Sequence, residues 1–282
     1  MTYHLRRHVH HLNTPQLTQQ AKPLAEKKQG AQAVVRALRI LKLFNGKQTQ
    51  LSLSDIVKIT ALNRTTVFRL LSTLVDEGFL VRHEDGPYHL GPELTALGGL
   101  ASRTDNLRQL ARPILKQLVS TVDERATLEI LSKNPAGQPT MLVIDEIDAS
   151  HRLSISDFAG SHLPVYATST GKAYLAHLPS NEIDQILNEP LDAFTSNTLI
   201  TKTALKQELN QIKEQGYAIA NEELESGLVA IGVPIFDGQG TAHASICLAG
   251  PTVRMTAEKL PQLIQQLQNA GDLLSEKMGY RN

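Results

Sequence analysis

The stretch SLSDIVKITALNRTTVFRLLSTLVDEGFLVRHEDGPYHL, residues 52–90, has the pattern of a winged helix-turn-helix. Residues 52–60 predict a short helix, residues 61–63 a turn and residues 64–76 a second helix, because apolar side chains recur there at helical spacing. Residues 78–90 predict two strands joined by a turn, which form the wing. This order of elements is typical of modules that read double-stranded DNA with the second helix.

The second predicted helix has an apolar face and a polar face. Its apolar positions i, i+3, i+4 and i+7 are Val67, Leu70, Leu71 and Leu74. Its other face offers guanidinium forks, hydroxyls and one ring to a major groove. The residues on this face are Arg64, Thr65, Phe68, Arg69 and Ser72. The predicted DNA contacts are Arg64, Thr65, Thr66, Phe68 and Arg69 in this helix and Arg82 and His83 in the wing. The alternatives are a solvated helix face, a buried Phe68 and a wing that is only a hairpin.

Charge is distributed unequally along the chain, although the formal net charge is zero. Residues 1–103 hold 14 Lys and Arg against 7 Asp and Glu, whereas the remainder holds 14 against 21. The N-terminal 103 residues are therefore basic and the remaining residues acidic, which indicates that only the N-terminal part contacts the phosphates of a nucleic acid.

Composition excludes several classes of protein. The single cysteine, Cys247, excludes a disulfide framework and any zinc site built from several cysteines. No apolar run approaches the roughly 18 residues of a membrane-spanning helix, and the first residues lack the apolar core of a secretory signal. We therefore expect a soluble cytoplasmic protein without a membrane partner, a metal or a cofactor.

The rest of the chain divides into segments of different pattern. A polar leader is predicted for residues 1–30, and a first helix for Gln32 to Phe44. That helix has an apolar stripe consisting of Val34, Val35, Leu38, Leu41 and Phe44. After the wing, residues 92–121 predict further helix, with bends at Gly98-Gly99 and at Pro113.

From residue 126 onward, apolar alternation predicts strands. The predicted strands are residues 127–131, 140–144, 152–156, 217–220, 228–236 and 242–249, and the predicted helices are 169–178, 182–187, 204–215 and 257–277. Strand runs that enclose helices favour an α+β domain around an antiparallel sheet. The predicted division is a leader at 1–30, a winged helix-turn-helix domain at 31–91, a linker helix at 92–104 and a second domain at 105–282.

The chain resembles the IclR family of bacterial transcription regulators over residues 32–275. The resemblance is carried by separate motifs in order, at residues 51–57, 65–80, 88–92, 160–173, 215–223, 227–234 and 248–251. It implies an N-terminal winged helix, a linker helix and a GAF-like effector-binding domain. It also implies a homodimer, or a dimer of dimers, on a pseudo-palindromic operator, and a small organic effector. Thr65 and Thr66 would then lie near phosphates, where hydroxyls position the protein without specifying sequence.

The resemblance also implies an effector pocket. The predicted lining residues are Ser169, Thr170, Gly171, Ala220, Leu228, Ala230, Cys247 and Ala249. Ala220, Ala230 and Ala249 stand where the family often has polar groups, and Ala61 stands where the helix-turn-helix turn often has glycine. A roomier, more apolar pocket is therefore expected, with the Gly171 amide holding an anion at a helix start. The predicted effector has an apolar or aromatic body and one carboxylate.

Three further sets of polar residues are candidates for a site. Cys247 is interpreted as a pocket-lining residue rather than a nucleophile, because buried cysteines behave mostly as inert small apolar groups. Asp145, Glu146 and Asp148 are interpreted as a solvated turn, since a hard-cation loop needs more oxygen ligands. The cluster of Glu222, Glu223 and Glu225 is interpreted as solvated or as structural before the Gly227 turn.

The resulting hypothesis is a ligand-responsive DNA-binding regulator, with no catalytic residues. One alternative is a constitutive DNA-binding protein without a ligand. The other is a GAF-like enzyme that uses Cys247 or a carboxylate pair and is targeted by the helix-turn-helix. The sequence offers no convincing pair of nucleophile and base, which argues against the enzyme.

Overall fold

The computed structural model describes residues 31–45, 48–82, 86–104, 106–134, 136–150, 159–188 and 190–281. The predicted leader at 1–30 and the predicted strand at 152–156 lie outside the described residues. The N-terminal elements are α1 (Gln32–Leu41), β1 (Gln50–Leu51), α2 (Leu53–Thr60), α3 (Arg64–Asp76), β2 (Leu80–Arg82) and β3 (Tyr88–Leu90). The three strands form a sheet in the order β1-β3-β2, which confirms the predicted winged helix-turn-helix and adds the short β1.

Local side-chain hydrogen bonds define where α2 and α3 begin. The Ser52 hydroxyl accepts from the Asp55 amide at 3.1 Å, and the Asp55 carboxylate accepts from the Ser52 amide at 3.0 Å. Asn63 accepts from the Thr66 amide at 2.7 Å and caps α3. Ala61 has the left-handed φ of 53° between the two helices, so this turn carries the mild strain of a non-glycine residue in that region.

The predicted apolar stripe of α1 is wrong in two respects. The helix ends at Leu41 rather than Phe44, and Ile40 is the fully buried residue, packed with Phe44 against α2 and α3. Val34 and Leu38 are 60% and 53% exposed. Both sides of α1 are apolar, and the sequence alone does not say which side meets the core.

Two helices follow the wing, α4 (Pro92–Thr104) and α5 (Asn106–Val122). The predicted bends at Gly98-Gly99 and Pro113 both lie inside these helices rather than between them. Within the described residues, no helix is both long and apolar enough to cross a membrane.

The C-terminal part is built on one six-stranded sheet in the order β6-β5-β4-β9-β8-β7, with every neighbouring pair antiparallel. Its strands are β4 (Arg125–Lys133), β5 (Pro139–Ile147), β6 (His162–Pro164), β7 (Ala218–Asn221), β8 (Leu228–Phe236) and β9 (Ala242–Pro251). Its helices are α6 (Ser169–Leu175), α7 (Ser180–Ile186), α8 (Lys202–Gln215) and α9 (Leu260–Lys277). The α+β prediction is confirmed, and β6 is a strand that the sequence did not predict.

Alternate residues of the central strands face two different layers. In β8, Val229, Ile231, Val233 and Ile235 pack with α5 and α9 in the main core. The intervening positions, such as Gly232, face α6 on the other side of the sheet. Burial on both faces explains why β8 reads as a continuous apolar run.

The interpretation of Asp145, Glu146 and Asp148 as a solvated turn is wrong for Asp145 and Glu146, whereas Asp148 follows β5 and is 56% exposed. Asp145 and Glu146 belong to β5 and are buried. Asp145 pairs with Arg112 of α5, and Arg125 of β4 pairs with Glu146 at 2.8 Å and with Asp148 at 2.7 Å. Arginines from neighbouring elements supply the counter-charge that makes this burial tolerable, and that pairing is not visible in the local sequence.

Candidate functional site: a cavity beneath α6 and the exposed face of α3

A cavity lies between the sheet and the start of α6, with about 500 Å³ of empty space including its open mouth. Its lining consists of Arg125, Thr127, Glu129, Leu163, Ala167, Thr168, Ser169, Thr170, Ala220, Leu224, Leu228, Ala230, Cys247 and Ala249. Seven of the eight predicted pocket residues are in this set.

The floor of the cavity is made of small side chains in register across the sheet. Ala220 pairs with Ala230, Ala230 with Ala249, and Ala249 with Arg125, so four strands contribute one continuous row. The next row contains Gly232, Cys247 and Thr127. Methyl groups in place of longer side chains leave the empty space above the sheet.

The eighth predicted residue, Gly171, is absent from the lining, and its proposed role in holding an anion is wrong. Its amide donates to the Thr168 hydroxyl at 3.2 Å, so it is used in capping α6. A Cβ at Gly171 would lie 2.1 Å from the Val165 carbonyl oxygen, which shows that this glycine allows a close backbone approach. Gly232 has a similar role, since a Cβ there would lie 2.5 Å from Ser169 and would push α6 off the sheet.

Cys247 is buried in the cavity wall, with its Sγ 3.6 Å from the Ser169 hydroxyl. Burial raises the pKa of the Cys247 thiol to about 12. A thiol in this state is a poor nucleophile near neutral pH. Among the described residues, no three His, Cys, Asp or Glu side chains are grouped as a metal site requires.

The polar side of the cavity was missed by the sequence analysis. Arg125, Thr127 and Glu129 alternate along β4 and line the cavity, while Ala126 and Leu128 face the main core. This period-two pattern is the signal that predicts one polar and one apolar face of a strand. The predicted strand begins only at Thr127, which leaves Arg125 outside it, and the pattern is then too short to mark a polar face.

Glu129 is a buried carboxyl group with hydroxyl partners. It accepts from the Thr170 hydroxyl at 2.6 Å and from the Thr127 hydroxyl at 2.8 Å, and it is 3% exposed. Burial raises the pKa of Glu129, and the two hydroxyl groups oppose that shift. The folded protein therefore favours the neutral carboxyl more than the unfolded chain does.

This shift predicts a pH dependence of stability. The raised pKa stabilises the fold fully below the unfolded-state value of 4.5, and that contribution is lost as the pH rises through the folded-state pKa. Glu129→Gln has no charge to bury, so its free energy of unfolding relative to the wild type is expected to increase above about pH 4.5. Urea unfolding between about pH 4 and pH 8 measures this difference. A difference independent of pH would contradict the raised pKa.

Lys172 forms a buried ionic cluster near the cavity. Its Nζ lies 2.5 Å from Glu208, 2.5 Å from Glu223 and 2.8 Å from the Ile219 carbonyl oxygen. Burial raises the pKa of Glu223, and the Lys172 ammonium opposes the shift. Of the two alternatives for the acidic cluster at residues 222–225, the structural one applies to Glu223, which pairs with Lys172 of α6, and to Glu222, whose carboxylate accepts from the Gly227 amide at 2.6 Å.

The second candidate site is the outer face of α3. Arg64, Thr65 and Arg69 are exposed, and Phe68 is 49% exposed, whereas Val67, Leu71 and Leu74 are buried. Thr66 is half-buried and donates its amide to the Asn63 cap. The helix thus presents two guanidinium groups and a ring to the outside from a well-anchored apolar face.

Arg82 of the wing is less exposed than the arginines of α3. Arg82 is half-buried, lies over the Tyr88 ring at 5.1 Å and donates from its Nε to the Gly86 carbonyl oxygen at 3.1 Å. The side chain is therefore held against the wing itself. His83 lies outside the described residues.

The chain is similar to known proteins along most of its length. Residues 33–84 match the family described as the IclR helix-turn-helix domain, and residues 100–276 match that of the bacterial transcriptional regulator IclR C-terminal. The HTH-type transcriptional regulator KipR of Bacillus subtilis is 31% identical over 248 residues, covering 88% of this chain and 97% of that protein. XynR of Escherichia coli, named in the same way, is 34% identical over 251 residues, covering 88% and 98%.

Solved structures share the fold. An IclR homologue from Microbacterium hydrocarbonoxydans, crystallised as a complex with 4-hydroxybenzoate, has a TM-score of 0.73 and 28% identity, covering 87% of this chain and 98% of that chain.

Proposed function

The chain belongs to the IclR family of bacterial transcription regulators, and we propose that it binds a pseudo-palindromic operator as a dimer or tetramer whose affinity for DNA is set by a small organic effector. Its function is regulation of transcription rather than catalysis, as in the named relatives. We propose residues 1–30 as a leader, 31–91 as the DNA-binding domain, 92–104 as the linker and 105–282 as the effector domain, acting in the cytoplasm.

The observation that carries the DNA-binding part is the exposed face of α3. In a helix-turn-helix the second helix enters the major groove, where the exposed Arg64 and Arg69 would bind guanine edges and the exposed Phe68 would contact a thymine methyl. Phosphate contacts from the basic N-terminal part, residues 1–103, are expected to supply most of the affinity for DNA and to make that affinity decrease with salt concentration.

Exposed apolar side chains on two helices support the homodimer. Val34 and Leu38 project from α1, and Leu97 and Leu100 project from α4. The two residues on each helix are one turn apart, and exposed apolar neighbours of this kind mark surfaces that bind a partner. A second copy of the chain would also place two α3 helices on successive half-sites, about one helical turn apart.

Arg69→Ala is expected to weaken specific DNA binding by about 1–3 kcal/mol, because a base-reading guanidinium fork would be lost. The operator is first selected from random duplexes, and affinity is then measured by fluorescence anisotropy. Arg69→Lys is the matched control, since it keeps the charge but loses the bidentate fork. Unchanged affinity and base preference in both variants would show that Arg69 does not read a base.

The cavity carries the effector part of the proposal. Its alanine floor and the leucines at its sides suit an apolar or aromatic body. The 4-hydroxybenzoate in the related structure supports an aromatic acid, and Arg125 is the lining residue that would attract the carboxylate. Such a ligand shifts DNA binding only by its different affinity for two arrangements of the protein.

A thermal-shift screen of the full chain against small carboxylic and aromatic acids tests this proposal. A compound that raises the melting temperature and changes operator affinity would identify the effector and the direction of the switch. If no acid in a broad panel stabilises the folded protein or changes DNA binding, the constitutive DNA-binding alternative is favoured.

A further inference from the structure

A buried acid without a counter-cation lies at the polar end of the cavity. Glu129 is held by the hydroxyl groups of Thr127 and Thr170, from β4 and α6. Among the described residues, no Lys, Arg or His lies within ion-pairing distance of it. The other buried carboxylates near the cavity differ in this respect, since Glu146 is paired with Arg125 and Glu223 with Lys172.

The groups around Glu129 do not neutralise it. Cys247 of β9 contributes a protonated thiol, and Glu146 of β5 raises the pKa of Glu129 further by its like charge. Arg125, the lining cation among the described residues, lies four positions back along β4, so by the rise of a strand its Cα is about 13 Å from that of Glu129. It is also engaged by Glu146 and Asp148. The polar end of the cavity is therefore rich in acceptors and poor in cations.

We infer that Glu129 is a specificity-determining residue of the effector site, which accepts a hydrogen bond from a hydroxyl or ammonium group on the ligand. This inference rests on the proposed effector function and narrows it. The favoured ligand is an acid that carries a hydrogen-bond donor at the end remote from its carboxylate, with the donor at Glu129 and the carboxylate towards Arg125.

The accepting capacity of Glu129 explains the selection. An ionised carboxylate accepts at about four lone-pair positions and a protonated carboxyl at fewer, and the two threonine hydroxyl groups occupy two of them. A ligand that fills the cavity with an apolar end would keep water from the remaining positions and leave them unpaired. A site of this kind rejects analogues that lack the donor, because buried polar groups then have no partner.

Isosteric pairs of probes test the inference on the full chain. The first pair is 4-hydroxybenzoate and 4-methylbenzoate, the second is 4-(aminomethyl)benzoate and 4-ethylbenzoate, and the meta isomers of each form two further pairs. Titration calorimetry measures the Kd of each compound. The member with the donor is expected to bind at least about 10-fold more tightly in at least one pair, as for a hydrogen bond to an ionisable group. The first pair reports a hydroxyl ligand and the second an ammonium ligand.

Two variants connect that preference to Glu129. Glu129→Leu removes the acceptor and is expected to reduce the ratio of Kd values within a pair to about 1–2. Glu129→Gln keeps one acceptor oxygen, which one threonine hydroxyl can still reach, and is expected to give an intermediate ratio. Melting temperatures report whether each variant is folded. Glu182→Gln changes an exposed acid outside the cavity and is expected to leave the ratio unchanged.

The outcomes separate the inference from the function on which it rests. Equal Kd values within every pair, or an unchanged ratio in either folded Glu129 variant, would overturn the role of Glu129 and leave ligand control intact. If no member of any pair binds, the inference and the proposed aromatic-acid effector fail together.

Discussion

Lys172→Met is expected to lower the free energy of unfolding by about 3–5 kcal/mol, the effect of removing one partner of a buried ionic cluster. The Lys172 side chain is 0% exposed, and its ammonium is the cation that both Glu208 and Glu223 contact. Without it, Glu223 stays buried beside a second carboxylate and must take up a proton or leave the interior. Urea unfolding followed by circular dichroism measures the change.

A surface ion pair in the same part of the chain provides the control. Lys206 and Asp184 lie 2.7 Å apart, with side chains 44% and 47% exposed. Lys206→Met is expected to change stability by no more than about 1 kcal/mol, because water and salt screen an exposed pair. If the two methionine variants lose similar amounts of stability, the buried cluster does not have the proposed structural role.

Ala230→Phe is expected to abolish effector binding, with a loss in affinity of at least about 100-fold, or roughly 2.7 kcal/mol. Ala230 is the central residue of the alanine row in the cavity floor, so a phenyl ring there fills the space above Ala220 and Ala249. The ring enters an existing cavity rather than a packed core, so the fold and operator binding are expected to persist. Calorimetry with the effector from the thermal-shift screen measures the loss.

The matched control for this variant is His243→Phe. His243 lies on β9 of the same sheet but is exposed and does not line the cavity. The His243→Phe substitution therefore introduces the same phenyl ring into the sheet without filling the pocket. A normal ligand response in Ala230→Phe would show that the effector binds elsewhere in the molecule.

Local chemistry was sufficient to predict the helix-turn-helix. The Ser52 and Asp55 capping box and the Asn63 cap act within one turn of chain, so the residues at these positions fix where the helices begin. The two-sided pattern of residues 64–76 likewise fixes which face of α3 is buried. Most C-terminal strands were predicted because apolar alternation is also a local signal.

The face of α1 that packs inward could not be predicted in the same way. Val34 and Leu38 are as apolar as Ile40 and Phe44, and only the position of α2 and α3 decides which of them is buried. The short strands β1 and β6 could not be predicted for a similar reason. Two or three residues show no periodicity, and they form a strand only when a neighbouring strand is in place to pair with them.

The sequence by itself determined most of the elements and the two faces of α3, since these depend on neighbours within a few residues, and the resemblance to the IclR family indicated the alanine positions of the pocket. The tertiary structure alone decided which charges are buried and what they meet. Glu129 contacts Thr170 of α6, and Lys172 of α6 contacts Glu223, which lies about 50 residues further along the chain, after β7. Burying a charge is tolerable only when such partners converge, and their convergence is a property of the packed fold rather than of any local pattern.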